Sequence, residues 1–435
     1  MVRLGPVAVQ LLMKRGAGGL PPTVAAARSP PAATLAMPDT PAFWISEADL
    51  QRLFDCLRAA GFQTVAPQVR DGAVIYDRLD EAAGLPHGLV DEQDGGYYRL
   101  TQHPDAGPFE HVAGPHSLKN FLFPPQETIQ QWRRQEGSWQ QLNTQTAPEA
   151  LAVIGPRACD LAALAIQDRV FLEGDFVDPF YQARRERLFL VAINCRRAAA
   201  TCFCHSMNCG PEVTAGYDLL LTPVDKRYVV EIGSAAGEQI AQQLRAEATL
   251  CTPADLTLAR EVSQTLAEQM ATRPHTPVRR ALTTAEGTPA STQPDAAPVP
   301  RSLDTENIRD LLFDNLQADR WNEVASRCLS CGNCTMVCPT CFCSSVQEVA
   351  DLAGDEVTRE RHWASCFTLE HSQIHGENPR PTTAAQYRQW LTHKLAGWID
   401  QFGSSGCTGC GRCITWCPVG IDLTEEVAAI REEAS

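Results

Sequence analysis

The sequence predicts an α/β domain followed by a mainly helical, cysteine-bearing domain. Three observations carry that prediction. Short apolar runs alternate with helical patterns between residues 150 and 251, as in a layered α/β sheet. A stretch with six prolines, residues 273 to 300, then breaks all apolar periodicity. Beyond it one four-cysteine motif occurs twice. The boundaries that follow are a tail over 1–40, an α/β domain over 41–252, a helix and Pro-rich linker over 253–305, and the cysteine-bearing domain over 306–435.

The elements follow in order. Residues 1–38 hold no Asp or Glu, and Lys14 and Arg15 follow the apolar run Leu4 to Met13. That is the wrong place for charge in a signal peptide, so the segment reads as a disordered Ala/Pro/Arg tail. A transit peptide, or an initiator at Met37, are the competing readings. Ala150 to Gly155 is a short apolar run ending in glycine, a buried strand, and Asp160 to Phe171 repeats helically. Leu188 to Asn194 is a second strand. Asp218 to Val224 and Tyr228 to Ile232 bracket Asp225-Lys226 as a hairpin, with a helix opening near Ala236. Ala254 to Met270 is helical, and residues 273–300 are a linker or a solvated insertion. Tyr387, Trp390, Leu391, Leu395 and Trp398 form an apolar stripe at helical spacing, read as core.

Composition narrows the function. Fifty-two acidic against 37 basic side chains give a net charge of −15, which argues against nucleic-acid and anionic-membrane binders because those need a basic face. It predicts docking on a basic partner surface. No apolar run approaches the roughly 18 residues of a membrane span. Eighteen cysteines in 435 residues exceed ordinary use, yet a chain this long needs no disulfide staples. A cytoplasmic location, where thiols stay reduced and cysteine clusters usually mean metal, is the expectation.

Cys328, Cys331, Cys334 and Cys338 precede Pro339, and Cys407, Cys410, Cys413 and Cys417 precede Pro418, 79 positions later. The spacing C-x2-C-x2-C-x3-C-P is that of bacterial ferredoxin [4Fe–4S] sites, where the fourth cysteine ligates the other cluster. Cluster 1 is therefore assigned Cys328, Cys331, Cys334 and Cys417, and cluster 2 Cys407, Cys410, Cys413 and Cys338. Gly332 and Gly411 sit where a positive φ turns backbone N–H groups toward sulfur, and each proline helps end its loop. Zinc usually takes two separated C-x2-C pairs instead. The 68 residues between Cys338 and Cys407 read as helical.

A quieter constellation lies in the α/β domain. Cys159 and Cys195 each follow the carboxyl end of a predicted strand, and Cys202 and Cys204 lie in the loop after Cys195. Ligands collect at the carboxyl ends of neighbouring strands in an open α/β sheet. If the two strands are adjacent and parallel, the four thiols converge, as a third [4Fe–4S] cluster requires. Ordinary buried cysteines, or zinc on the same four residues, are the competing readings. His205 and Cys209 are substitute ligands. Arg157 and Asp160 either tune a sulfur or form a salt bridge or cap.

Taken together, GPRACDLAAL, DPFYQARRE, TCFC, CLSCGNCTMVCPTCFC, HWASC and CTGCGRCITWCP resemble the β subunit of soluble cytoplasmic [NiFe] hydrogenases of the sulfhydrogenase type. They are similar, too, to the A subunit of anaerobic sulfite reductase. The resemblance covers residues 41 to 435 except 273–300. With it the C-terminal region resembles an α-helical ferredoxin, so the expected architecture is an α/β N-terminal domain followed by an α-helical ferredoxin-like dicluster domain. The resemblance implies an electron-transfer subunit with no catalytic centre of its own. It would relay electrons between a flavin/NAD(P)H-binding subunit, or another redox pool, and hydrogenase small and large subunits. The sulfite-reductase alternative puts B and C subunits in their place. Cys341, Cys343 and Cys366 also match the family pattern, as exchange ligands, as part of a further site, or as packing thiols. Cys209 stands where the family has a small or polar residue.

Four further readings complete the expectation. Lys119, in the family-like GPHSLKNFLFPP, either neutralises a cofactor phosphate or partner carboxylate or lies on a solvated edge. No glycine-rich phosphate loop and no GxGxxG fingerprint occurs, so flavin is not expected. A zinc-binding interaction module is the remaining alternative from a different class. Cys56 and Cys251 read as incidental thiols.

Overall fold

Short, largely buried strands organise the first half of the chain in the computed structural model, which describes residues 41–142, 147–245, 248–275, 299–371 and 373–434. The predicted tail and most of the Pro-rich stretch lie outside the described residues. After β1 (Phe43–Ser46) and α1 (Leu50–Ala59) come the hairpins β2 (Gln63–Arg70)/β3 (Ala73–Arg78) and β4 (Leu89–Asp94)/β5 (Tyr97–Gln102). Next are the one-turn helix α2 (Lys119–Leu122) and the hairpin β6 (Gln126–Gln135)/β7 (Ser138–Leu142). The α/β core continues through β8 (Leu151–Ile154), α3 (Ala158–Leu172), α4 (Pro179–Arg185), β9 (Leu188–Ile193), β10 (Leu219–Val224), β11 (Arg227–Ile232) and α5 (Ala235–Leu244).

Seven of these strands form one sheet in the order β1-β11-β10-β9-β8-β2-β3. Its centre, β2-β8-β9-β10, is parallel, and with both faces covered the residues of β8, β9 and β10 are nearly all apolar. Ala152, Ile154, Phe189, Val191, Ile193, Leu219 and Leu221 pack under α1 and α5. The alternate residues Val153, Leu190, Ala192 and Leu220 pack against α3 and Tyr181 of α4. The β10/β11 hairpin and the adjacent, parallel β8 and β9 match the reading of the sequence.

The helix α6 (Pro253–Thr272) is capped by Thr252, with Pro253 at its first position. It runs from the sheet edge, where Ala259 meets Trp44 and Val229, to the loop bearing Cys202 and Cys204, where Leu266 and Met270 pack. At its end β12 (Pro274–His275) pairs with β13 (Val299–Pro300). The two described ends of the Pro-rich stretch thus lie side by side.

The last segment comprises α7 (Ile308–Asp314), α8 (Arg320–Arg327), the one-turn α9 (Asn333–Met336), β14 (Ser344–Ala350), β15 (Glu356–Trp363), α10 (Thr383–Thr392), α11 (Trp398–Phe402), the one-turn α12 (Arg412–Thr415) and α13 (Leu423–Glu433). The predicted stripe is core: Tyr387, Trp390, Leu391 and Leu395 pack with Trp321, Val324, Val427 and Ile430. The wholly helical reading of the stretch between Cys338 and Cys407 is corrected. β14 and β15 form a hairpin that joins β6 and β7 in a four-stranded antiparallel sheet, β14-β15-β6-β7. Its charges pair directly across strands. Glu348 faces Arg359, Glu127 faces Arg361, and Arg133 faces Glu356 at 2.7 Å. Such pairs stabilise a ladder, but in one dimension the same alternation of Glu and Arg reads as a solvated helix. Strands from the α/β and cysteine-bearing segments thus share a sheet, and the described residues belong to one compact unit.

Candidate iron–sulfur centres

The two cysteine loops repeat in backbone conformation as in sequence. Helix α8 ends at Cys328, whose N–H still bonds Val324 O at 3.0 Å. Ser330 then takes a left-handed φ of 49° and donates its N–H to Cys328 Sγ at 3.4 Å. In the second loop Gly409, at φ 67°, donates to Cys407 Sγ at 3.4 Å. Gly332 (φ 74°) and Gly411 (φ 77°) each open a one-turn helix, α9 and α12. The positive φ expected of both glycines is present.

The fourth cysteine of each motif crosses to the other loop. Burial raises the Cys334 thiol well above its ordinary value, and Cys417, Cys328 and Cys331 add to that as its neighbouring sulfurs. Burial likewise raises Cys413, beside Cys407, Cys410 and Cys338. Burial pushes Cys407 up to about 12, with Cys410 and Cys338 close. Thiols that oppose one another's ionisation in a dry setting are relieved by metal coordination, which places positive charge among the sulfurs. Cys328, Cys331, Cys334, Cys413 and Cys417 also line a cavity of about 420 Å³, mouth included, together with Tyr387 and Trp390. Tyr387 Oη and Trp390 Nε1 are buried donors with no partner among the described residues. Inorganic sulfide and thiolate sulfur are the acceptors such donors lack, so the residues fit an iron–sulfur cluster. No three described His, Cys, Asp or Glu side chains are drawn together as ligands of a single ion. In a cubane each thiolate takes its own iron, and the four thiols stand apart around a larger body.

The loop after β9 brings the α/β domain's cysteines to the same place. Cys159, in the first turn of α3, shares a buried cluster with Cys195, Cys202, Cys204, Cys209 and Cys410. Burial raises Cys204, with Cys202, Cys195, Cys410 and Cys209 as its charged neighbours in that order. Phe203 N–H bonds Gly409 O at 2.9 Å. A Cβ on Gly409 would lie 2.6 Å from Cys204 Cα, and one on Gly411 2.5 Å from Thr201 O. Only glycine lets these two loops touch. Cys209 donates its thiol to Met207 O at 3.2 Å. His205, on the short turn Cys204–Met207, is lowered by burial and then by the charge of Arg273.

Asp160 and Arg157 have structural partners. Asp160 accepts from Arg157 N–H at 3.1 Å, capping α3, and pairs with the buried Arg412 at 2.7 Å. Arg412 also donates to Gly114 O at 2.8 Å and His116 O at 3.1 Å, while its Nη1 has no hydrogen-bond partner among the described residues. Cys410 lies beside Arg412. Arg157 holds Phe109 O at 2.8 Å and His111 O at 3.0 Å.

Cys341, Cys343 and Cys366 do not come together as a set of three. Cys341 lies beside Cys338, and Cys343 beside Cys366. Lys119 is not on a solvated edge. It is 4% exposed, with Nζ 3.3 Å from Thr335 O, 3.1 Å from Met336 O and 3.7 Å from the centre of the Trp363 ring. Burial lowers it to about 8, against the pull of Cys341 and Cys338. Sequence reasoning missed Lys394, whose Nζ lies 3.3 Å from Cys338 Sγ. The signal was present: Lys394 interrupts the apolar stripe that runs from Trp390 to Trp398.

Residues 327–421 match the family model of the 4Fe-4S dicluster domain. Over 283 residues, 64% of this chain and 74% of the relative, the chain is 28% identical to the sulfhydrogenase 2 subunit beta of Pyrococcus furiosus. The resemblance drawn from the cysteine motifs and these two findings agree: the chain is related to sulfhydrogenase β subunits and carries a 4Fe-4S dicluster domain.

Proposed function

We propose that this relative of sulfhydrogenase β subunits is the iron–sulfur electron-transfer subunit of a multi-subunit cytoplasmic oxidoreductase of the hydrogenase type. Cys328, Cys331, Cys334 and Cys417 hold one [4Fe–4S] cluster, and Cys407, Cys410, Cys413 and Cys338 a second. Cys159, Cys195, Cys202 and Cys204 hold a third. When bound, the clusters supply one-electron carriers. A flavin/NAD(P)H-binding subunit and hydrogenase subunits are the partners this reading calls for.

One observation carries the reading: the short loop 407–413 faces all three thiol sets. Cys413 lines the cavity of the first set while neighbouring Cys407 and Cys338 of the second. Cys410, three residues earlier, lies against Cys159, Cys202 and Cys204. The chain's own residues do the rest. Ser330, Gly409 and Ile421 offer N–H groups to sulfur, and Trp390, Tyr387 and Phe367 wall the first set with aromatic surface. Cys331 is exposed, which puts the first set at the protein surface, where a partner docks. No helix among the described residues is long and apolar enough to cross a membrane.

Anaerobic purification tests the proposal. A brown protein whose absorbance near roughly 400 nm bleaches on reduction is the expected result. A colourless protein carrying zinc would make it an interaction module instead. The sulfite-reductase alternative is settled by its neighbours: hydrogenase subunit genes beside this one are expected, and a sirohaem-binding subunit gene would contradict them.

A further inference from the structure

The duplication is symmetric in its cysteines but not in what faces them. Cys417 Sγ accepts a neutral backbone N–H from Ile421 at 3.3 Å. Its counterpart Cys338 meets a buried ammonium. Lys394 Nζ lies 3.3 Å from Cys338 Sγ, 3.1 Å from Thr340 Oγ1 and 3.2 Å from Gly406 O. Lys394 is 3% exposed and stands on the turn between α10 and α11. Lys119, on α2, donates to the carbonyls of Thr335 and Met336, just before the Cys338–Cys341 turn, and has Cys341 and Cys338 among its nearest charged groups.

Neither lysine has a carboxylate partner among the described residues. The negative groups that face both are cysteine sulfurs, with Cys338 and Cys341 foremost. A buried charge is retained only against an opposite charge, and two ammonium groups converging on one turn need more than one thiolate. The cation beside the first set is already neutralised: Arg327, beside Cys328, is bound by Glu426 at 2.6 Å. Arg412, beside Cys410 of the second set, is likewise bound by Asp160 and adds no free charge there.

We propose that Lys394, assisted by Lys119, sets the cluster held by Cys407, Cys410, Cys413 and Cys338 at a higher reduction potential than the cluster held by Cys328, Cys331, Cys334 and Cys417. The proposal rests on the cluster reading above. A thiolate-ligated cluster is an anion that gains one further negative charge on reduction, and an uncompensated cation in the low-dielectric interior favours that reduced form. Electrons entering at the exposed first set are therefore drawn inward. Lys394 is a positioning residue: it touches the ligand Cys338 and acts through it.

The test is an EPR-monitored redox titration of the full chain purified anaerobically, with Cys331→Ser used to mark the signal of the first set. Cys331→Ser should perturb the lower of the two midpoints of the duplicated pair. Lys394→Met should lower the upper midpoint, so that at the wild-type midpoint the reduced-to-oxidised ratio falls at least tenfold, a shift of 59 mV for a one-electron couple. Lys394→Arg, which keeps the charge, should restore most of it. Lys119→Met should move the same signal in the same direction by less, and decides the matter together with Lys394→Arg should Lys394→Met fail to assemble that cluster. An upper midpoint unmoved by the lysine variants at full iron content overturns the proposal, as does a Cys331→Ser effect on the upper midpoint. Wild-type protein without iron and sulfide overturns the cluster reading itself.

Discussion

At the scale of single residues, the account depends on side chains that let loops touch and charges that have one partner. Gly411 allows the loop of Thr201 to lie on the second cysteine loop, because any Cβ there would meet Thr201 O at 2.5 Å. Gly411→Ala, at a φ of 77° as well, should separate the third thiol set from the second, and iron per chain should fall by about four atoms. Unchanged iron would show that the contact is dispensable. Arg412 and Asp160 are both buried and paired at 2.7 Å. Arg412→Met leaves the carboxylate without its cation, and a loss of about 3–5 kcal/mol is expected in chemical denaturation. What was legible here was the cysteines, whose spacing is a one-dimensional signature. Lys394 was visible as a break in an apolar stripe, but its partner was not, nor were those of Arg412 and Arg361, because the three pairs span 56, 252 and 234 positions of sequence respectively.

At the scale of elements, helices and central strands were read correctly where burial repeats at short range. β8 and β9 are runs of apolar residues covered on both faces, and α3 opens with Asp160 accepting the Arg157 N–H. The hairpin β14/β15 was lost because its faces are polar and its pairing partner β6 lies more than 200 positions away. Glu426 shows the same limit. That residue, on α13, is buried and binds Arg320 at 2.5 Å and Arg327 at 2.6 Å, which ties α13 to α8 just before Cys328. Glu426→Ala leaves Arg327 without its carboxylate and Arg320 with only the exposed Glu323 at 2.7 Å, and should cost about 3–5 kcal/mol. Arg359→Ala, which removes an exposed cross-strand pair with Glu348, should cost under about 1 kcal/mol. Equal losses for the two variants in denaturant titrations would contradict this ranking of buried over exposed pairs.

At the scale of the whole molecule, burial also shapes the response to pH. Burial, and after it the charge of Arg157, holds His111 well below the ordinary histidine value of 6.5. The unfolded chain takes up a proton at His111 as pH falls through about 6.5, and the folded chain does not. The stability His111 contributes is therefore full above that pH and is lost as pH falls below it. His111→Gln should flatten stability against pH between about 5.5 and 7; an unchanged slope would place the effect elsewhere. The net charge of −15 sets a second expectation, that association with a basic partner subunit slows as ionic strength rises.

The central claim is that three sets of thiols, joined through the loop 407–413, hold three clusters. Iron and acid-labile sulfide per chain, measured on anaerobically purified wild type and on Cys202→Ser/Cys204→Ser, test it most directly. The account predicts about twelve iron atoms for the wild type and about eight for the double variant. About eight in both would remove the third cluster, and zinc in place of iron in the wild type would contradict the account as a whole.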